Sequence, residues 1–270
     1  MGHMNTRFYV ARCNDAVTVL FAMVGVPAAS MRIGEIHIRF HREAYASALL
    51  HMTAGFGRMG DDDAELVLCL WHSADDKLAA TFRVRVRCVS GSWPRDALDR
   101  AAAMAVEMPP EAAPRSIGTG MIEQRPADLS RYTRIAISVI NAADCDHHGR
   151  MLPQKLIGAV SDGVRQLTAP LRDIAAKHAD PKPTKLGGAV LETRLVYIDW
   201  PRAGDCFQIH SGFTGADSRT MSLDHWLTDL QSGKLLGYVE SVAVVFDLER
   251  RKIVGITDAA RDEMRPLQMG

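Results

Sequence analysis

Sliding the chain against itself by 157 residues sets 31–90 on 188–247 without a gap, and this internal repeat limits the fold more than any other feature. Eight positions are identical: Glu35 and Glu192, Ala46 and Ala203, Gly55 and Gly212, Phe56 and Phe213, Leu66 and Leu223, Leu70 and Leu227, Lys77 and Lys234, Leu78 and Leu235. The turn signals coincide as well, with ADDK at 74–77 falling on QSGK at 231–234, each between strand-like runs. A chain of 270 residues has room for two such units.

Within each copy the pattern is a run of strands. Residues 81–89 alternate Phe82, Val84, Val86 and Cys88 with Arg83, Arg85 and Arg87, the two-residue period of a strand with one buried face. Residues 191–200 and 237–248 are β-rich in the same way, so the repeating unit is an antiparallel sheet. One apolar helix precedes each set of strands. The first is expected over 16–24, capped by Asn14 or Asp15, with strand-like residues ahead of it. The second is expected over 152–167, with Pro153 in its first turn and Leu156, Ile157, Val160, Val164 and Leu167 at helical spacing. Gly158 and Gly163 each weaken that helix by about 1 kcal/mol relative to alanine, which makes sense if a sheet must approach its backbone. Residues 93–107 predict an amphipathic helix, ended by MPPEAAP at 108–114. The expected division is 4–90 as a first repeat, 91–131 as a connector and 132–270 as a second repeat. The leading Met1, Gly2, His3 and Met4 look like a tag remnant and are set aside.

Composition removes several classes. Lys plus Arg and Asp plus Glu both total 32, so no net field attracts a polyanion and no nucleic acid is expected as a partner. With 47% hydrophobic and 24% charged residues the chain is an ordinary globular protein. Five cysteines, an odd number without a CxxC pair, point to a reducing, cytoplasmic setting and away from a zinc ribbon. The apolar run at 16–29 is shorter than the ~20 residues a spanning helix needs, so no membrane partner is expected.

Residues 143–149 (ADCDHHG), between the strand expected over 132–140 and the second helix, carry D-x-D-x-x-G at Asp144, Asp146 and Gly149. This resembles the signature of the 4-hydroxybenzoyl-CoA thioesterase group and of the related acyl-ACP thioesterases. Residues 197–205 (YIDWPRAGD) and 247–252 (DLERRK) are similar to later strands of those enzymes. The resemblance covers most of 131–260 and, less closely, 4–90. It implies an α+β double hot-dog fold, two antiparallel sheets each wrapped around a long helix. It also implies that Asp146, the second Asp of the signature, is the catalytic carboxylate. The family's frequent G-H-x-N continuation is missing, because Arg150, Met151 and Leu152 follow Gly149. In the first repeat the matching place, residues 13–16, lacks the turn, so one competent site and a degenerate first repeat are expected.

Thioester hydrolysis needs a carboxylate that attacks or activates water, and donors aimed at the oxygen where charge develops. Asp146 fills the first role. Backbone N–H groups at Gly149, Arg150 and Met151, at the positive end of the second helix, fill the second. His148, two residues from Asp146, faces the same way and positions the water or acts as base, His147 points away, and the Arg150 side chain holds a carboxylate or phosphate. Asp162 is a further candidate, because helix carboxylates do the chemistry in some hot-dog thioesterases. Neighbouring residues such as Asp144, Cys145, Asp146, His147 and His148 do not converge on one ion, so neither a metal nor another cofactor is expected. Ser161 lies mid-helix, which is wrong for a nucleophile elbow. The Arg83, Arg85, Arg87 stripe, with Arg202, offers a patch for CoA phosphates or an acidic carrier. Glu43 matches Trp200 in the other repeat and is given no role.

The leading expectation is an acyl-CoA or acyl-ACP thioesterase, monomeric or homodimeric. The alternative is a non-catalytic acyl-thioester binding protein on the same fold. A hydratase is disfavoured, since no D-x-N-P-x-H-like segment is present.

Overall fold

A computed structural model describes residues 2–118, 126 and 128–269. The first element is a helix, α1 (Thr6–Met23), where a strand followed by a shorter helix is expected. Tyr9, Val10, Cys13, Val17, Leu20 and Phe21 are its buried face, a helical spacing that begins well before residue 16. The cap is Asn5, whose side chain accepts from the Arg7 N–H, so Asn14 and Asp15 lie mid-helix.

Four strands follow: β1 (Met31–Phe40), β2 (Leu50–Met59), β3 (Asp63–His72) and β4 (Lys77–Cys88). Then come α2 (Arg95–Ala102), β5 (Thr133–Val139), α3 (Pro153–Gly163) and α4 (Arg165–His178). The helix expected over 152–167 is thus interrupted at Val164 and continues to His178. The chain closes with β6 (Leu186–Tyr197), β7 (Cys206–Ala216), β8 (Met221–Asp229), β9 (Leu235–Asp247), β10 (Lys252–Ile253) and α5 (Asp258–Met264).

The strands form one antiparallel sheet in the order β2-β3-β4-β1-β6-β9-β8-β7-β5, with β10 on β9. The two expected sheets are therefore joined, through β1 and β6, from Glu35 opposite Val196 to Arg39 opposite Glu192. Irregularities recur at the 157-residue spacing. The register shifts at Ile33/Glu35, Phe56/Arg58 and Leu70/Trp71 in the first half. In the second half it shifts at Val190/Glu192, Phe213/Gly215 and Leu227/Thr228. A bulge re-aims a strand, and three coinciding bulges give both halves the same curvature.

One face of the sheet carries the helices. Phe21 of α1, Leu156 and Val160 of α3, and Ile36, Phe82, Leu195 and Val239 of the sheet share one buried cluster, so the core spans both halves. A smaller cluster under α4 and α5 holds Leu171, Phe213, Leu223 and Met264. Helices α1 and α3 run in opposite directions: Thr6 Oγ1 lies 2.8 Å from Ser161 Oγ, whereas Asn14 and Thr18 face Leu152 and Pro153.

The other face is crossed by the segment after α2. It pairs with Phe56 of β2 through Met104 O and the Val106 N–H. It then accepts from Thr81 and Arg39 and donates from Arg115 and Ser116 to the Glu192 carboxylate on β6. Residues 119–125 and 127 of the expected connector lie outside the described residues.

Candidate active site

The loop between β5 and α3 closes on itself through Asp146. Oδ1 accepts the N–H groups of His148 at 2.8 Å and Arg150 at 3.0 Å. Oδ2 accepts Arg150 Nε at 2.9 Å and lies 2.8 Å from Nη2. A carboxylate has about four lone-pair sites, and here all are occupied. Partial burial works against ionisation, but the bonds from Arg150 and His148 outweigh it and hold Asp146 below the usual carboxylate range. Gly149 sits at φ +73 with open space around its α-carbon, so the turn needs glycine for backbone conformation and not for room.

The backbone donors expected at Gly149, Arg150 and Met151 are spent. Gly149 N–H bonds Asp146 O, Arg150 N–H bonds the Asp146 carboxylate, Met151 N–H bonds Pro201 O and Leu152 N–H bonds Asp144 O. The turn uses three of them to close on itself and one, Met151 N–H, to fasten to the loop after β6, which leaves the Arg150 guanidinium as the cationic donor beside Asp146. Asp144 has a structural partner of its own, Lys155 Nζ at 2.7 Å.

This loop forms one wall of a cleft of about 470 Å³ whose other wall is α1. Asp146, Arg150 and Met151 line it from the second half, and Asp15, Thr18 and Val19 from the first. Trp200 flanks it, stacked on Tyr197 with ring centroids 4.6 Å apart. The two histidines exchange the expected placements. His147 lines the cleft, whereas His148 donates its N–H to Asp146, offers its carbonyl to Arg202 and does not line the cleft. The tight turn brings the two rings together, with centroids 3.9 Å apart, and only His147 reaches the cleft lining.

Asp162 is not brought to Asp146. It lines a second cleft of about 710 Å³ on the other side of the loop, with Arg7, Gln154 and Lys155. Ser161 is engaged by Thr6. The arginine stripe is largely neutralised, since Arg83 Nη2 bonds Glu65 at 2.6 Å and Arg85 approaches Glu35 and Glu65. No group of metal-ligating side chains occurs among the described residues.

One turn was passed over. Gly2, His3 and Met4, set aside as a tag remnant, are part of the fold. Met4 N–H bonds Ala44 O, and Ala46 N–H bonds Gly2 O. In the second half Met151 N–H bonds Pro201 O and Ala203 N–H bonds Gly149 O; Pro201 and Ala203 lie 157 residues after Ala44 and Ala46, whereas Met151 and Gly149 lie 147 after Met4 and Gly2. His3 bridges Tyr45 as Arg150 bridges Arg202. Residues 2–5, ending at the cap of α1, are thus the counterpart of 149–152, ending at the cap of α3. The expected counterpart, 13–16, lies inside α1. The signal was available as the repeated Gly-x-Met at both places.

A continuous antiparallel sheet of two similar halves, holding two antiparallel helices against one face and a cleft between them, defines a double hot-dog protein of the thioester-handling class. The family model of the thioesterase-like superfamily matches residues 1–115 and 140–264, and the chain belongs to that family and is a thioester hydrolase by class. Solved structures share the fold at low identity. A putative oleoyl thioesterase from Lactobacillus plantarum superposes with a TM-score of 0.67 at 9% identity, over 90% of this chain and 89% of that one. An acyl-ACP thioesterase from Bacteroides thetaiotaomicron gives 0.66 at 9%, over 90% of each chain. The 12:0-ACP thioesterase from Umbellularia californica gives 0.60 at 9%, over 80% of this chain and 73% of that one. No curated protein sequence matches the chain. Among the described residues no helix is long and apolar enough to cross a membrane.

Proposed function

We propose that this chain hydrolyses acyl thioesters carried on coenzyme A or on an acyl carrier protein, and that the reaction runs in the cleft between α1 and the 144–152 loop. The observation that carries this reading is the Asp146–Arg150 pair on the cleft wall, an ionised carboxylate and a cation held side by side. The names of the three structural neighbours, all thioesterases and two of them acting on acyl-ACP, support the substrate class.

The pair divides the work. When the thioester carbonyl enters, the Arg150 guanidinium turns from Oδ2 to the carbonyl oxygen, where negative charge develops, and takes the place of the spent backbone donors. Oδ2 is then free to accept a proton from water as the water oxygen bonds to the carbonyl carbon. The C–S bond breaks and the proton passes to sulfur. The backbone N–H groups of His148 and Arg150 keep Oδ1 in position throughout.

The test is thiol release from a panel of acyl-CoAs and acyl carrier proteins. Turnover by the wild-type chain, lowered at least tenfold in both Asp146→Asn and Arg150→Gln, is expected. Saturable binding by the wild type without thiol release would overturn the reading and leave a binding role.

A further inference from the structure

We propose that Arg32 and Arg87 form a phosphate-binding site at the rim of the cleft, where they hold the phosphate that joins a pantetheine arm to its carrier. The inference rests on the thioesterase reading above and adds the group by which the carrier is recognised.

Arg32 of β1 and Arg87 of β4 stand directly opposite each other across the ladder, so both side chains leave the same face of the sheet. Like charges placed in this way repel, and a chain that keeps them gives up stability. Three other arginines on this face are neutralised. Arg83 is bonded to Glu65, Arg85 approaches Glu35 and Glu65, and Arg194 lies 2.9 Å from Glu35 and 3.3 Å from Glu240. Arg32 and Arg87 are both exposed, and among the described residues no carboxylate lies within ion-pair distance of either. Asp63 faces Arg87 from β3 and Asp199 lies in the field of Arg32, yet each already holds another cation, Asp63 the Arg58 guanidinium and Asp199 the Lys234 ammonium at 2.5 Å. The ladder between β1 and β6 runs only from Glu35 opposite Val196 to Arg39 opposite Glu192, so no strand covers β1 beside Arg32. Arg32 therefore lines the same cleft as Asp146 and Arg150.

Two guanidinium groups side by side present N–H forks that match the oxygens of a phosphate, and a phosphate between them cancels their repulsion. An uncharged group does neither. The arms of coenzyme A and of an acyl carrier protein share one such phosphate, separated from the sulfur by the pantetheine chain. Held at Arg32 and Arg87, either arm runs from the rim along the cleft and brings its thioester to the Asp146–Arg150 pair.

The experiment uses the full chain and compares octanoyl pantetheine with octanoyl phosphopantetheine, which differ by that phosphate alone. The wild type is expected to prefer the phosphorylated thioester by about tenfold or more in kcat/KM, expressed in KM, the factor that charge-assisted hydrogen bonds supply. In the Arg32→Gln, Arg87→Gln double variant the preference should fall below about twofold, and in the Arg32→Lys, Arg87→Lys variant part of it should remain, because the charges stay and the forks are lost. Added salt should shrink the wild-type preference too. The thermal midpoint of the glutamine variant should equal or exceed that of the wild type, since a repulsion has been removed, which separates a lost phosphate contact from a lost fold. Octanoyl-CoA and the octanoyl carrier protein should lose rate by similar factors. A loss on the carrier protein alone would mean that the arginines meet the carrier's own surface, and it overturns the phosphate site. A wild type that treats both pantetheine thioesters alike, or a glutamine variant that keeps the full preference, also overturns the site and leaves the proposed reaction standing. Absence of thiol release by the wild type from every thioester tested overturns both.

Discussion

Arg150 grips Asp146 through two nitrogens, Nε at 2.9 Å and Nη2 at 2.8 Å, while its own backbone N–H holds the other carboxylate oxygen. One residue therefore supplies three of the four donors on the carboxylate. Replacing Arg150 with methionine keeps the backbone bond and removes the charge-assisted ones, each worth about 1.5–3 kcal/mol where desolvated. Because the folded-state pKa of Asp146 is depressed, its stabilisation is present above the unfolded value of about 3.9 and is lost as pH falls below it. Arg150→Met should thus narrow the stability difference between pH 7 and pH 3. Urea titrations of both proteins at the two pH values measure this, and an unchanged difference would show that the pair does not stabilise the fold.

At the junction of the halves, His37 Nε2 lies 2.7 Å from Glu192 Oε1, and the same carboxylate collects the N–H groups of Arg115 and Ser116 at 2.9 Å each. Burial opposes the charge, yet these contacts bring Glu192 down to about 2. Its contribution is complete above the unfolded value of about 4.3 and disappears as pH falls toward 2. Glu192→Ala strands a buried imidazole and two amides, and a loss of roughly 3–5 kcal/mol at pH 7 is expected. Hydrogen exchange should locate the loosening at residues 115–117. Protection there equal to wild type would mean that the crossing segment is held by other contacts.

Asp224 works in the opposite sense. It is buried on β8 opposite Glu240 of β9, and burial raises it to about 6 despite hydrogen bonds from Trp226 and Tyr132. With a folded pKa above the unfolded one, the native state binds more protons between about pH 4 and 6, and stability falls as pH rises through that window. Asp224→Asn keeps the shape and removes the ionisation. It should be more stable than wild type at pH 7 by on the order of 2 kcal/mol and close to it at pH 4. Chemical denaturation at both pH values decides, and a gain equal at both would assign the effect to packing.

Much of the architecture was legible because its signals are local. Period-2 alternation, turn residues and the 157-residue repeat all survive in a single sequence, and the D-x-D-x-x-G turn lies where the resemblance puts it. What was hidden is set by distant contacts. The edge pairing of β1 with β6 joins residues 159 apart, such as Glu35 with Arg194, and nothing near either one announces it. The saturation of Asp146 depends on where the Arg150 side chain lies. The start of α1 was lost because Asn14 and Asp15 imitate a cap, and the true cap, Asn5, follows a segment that had been set aside.

The two glycines of α3 separate what one expectation had merged. Gly163 does meet the sheet: a methyl group there would run into the Ile135 carbonyl oxygen of β5, which is backbone and cannot move aside. Gly158 instead faces α1, where the nearest atoms to a methyl would be Arg7 Cδ at 3.6 Å and Cβ at 3.7 Å, ordinary contact distances. At such a site alanine gains helix propensity and loses nothing, so Gly158→Ala should stabilise by about 0.5–1 kcal/mol. Gly163→Ala gains the same propensity, but it must push β5 away from α3 or bend the helix, and overpacking of this kind costs about 1–3 kcal/mol. The thermal midpoints should therefore move in opposite directions. A rise in both would mean that β5 yields to α3, and a fall in both that the space beside Arg7 is already filled.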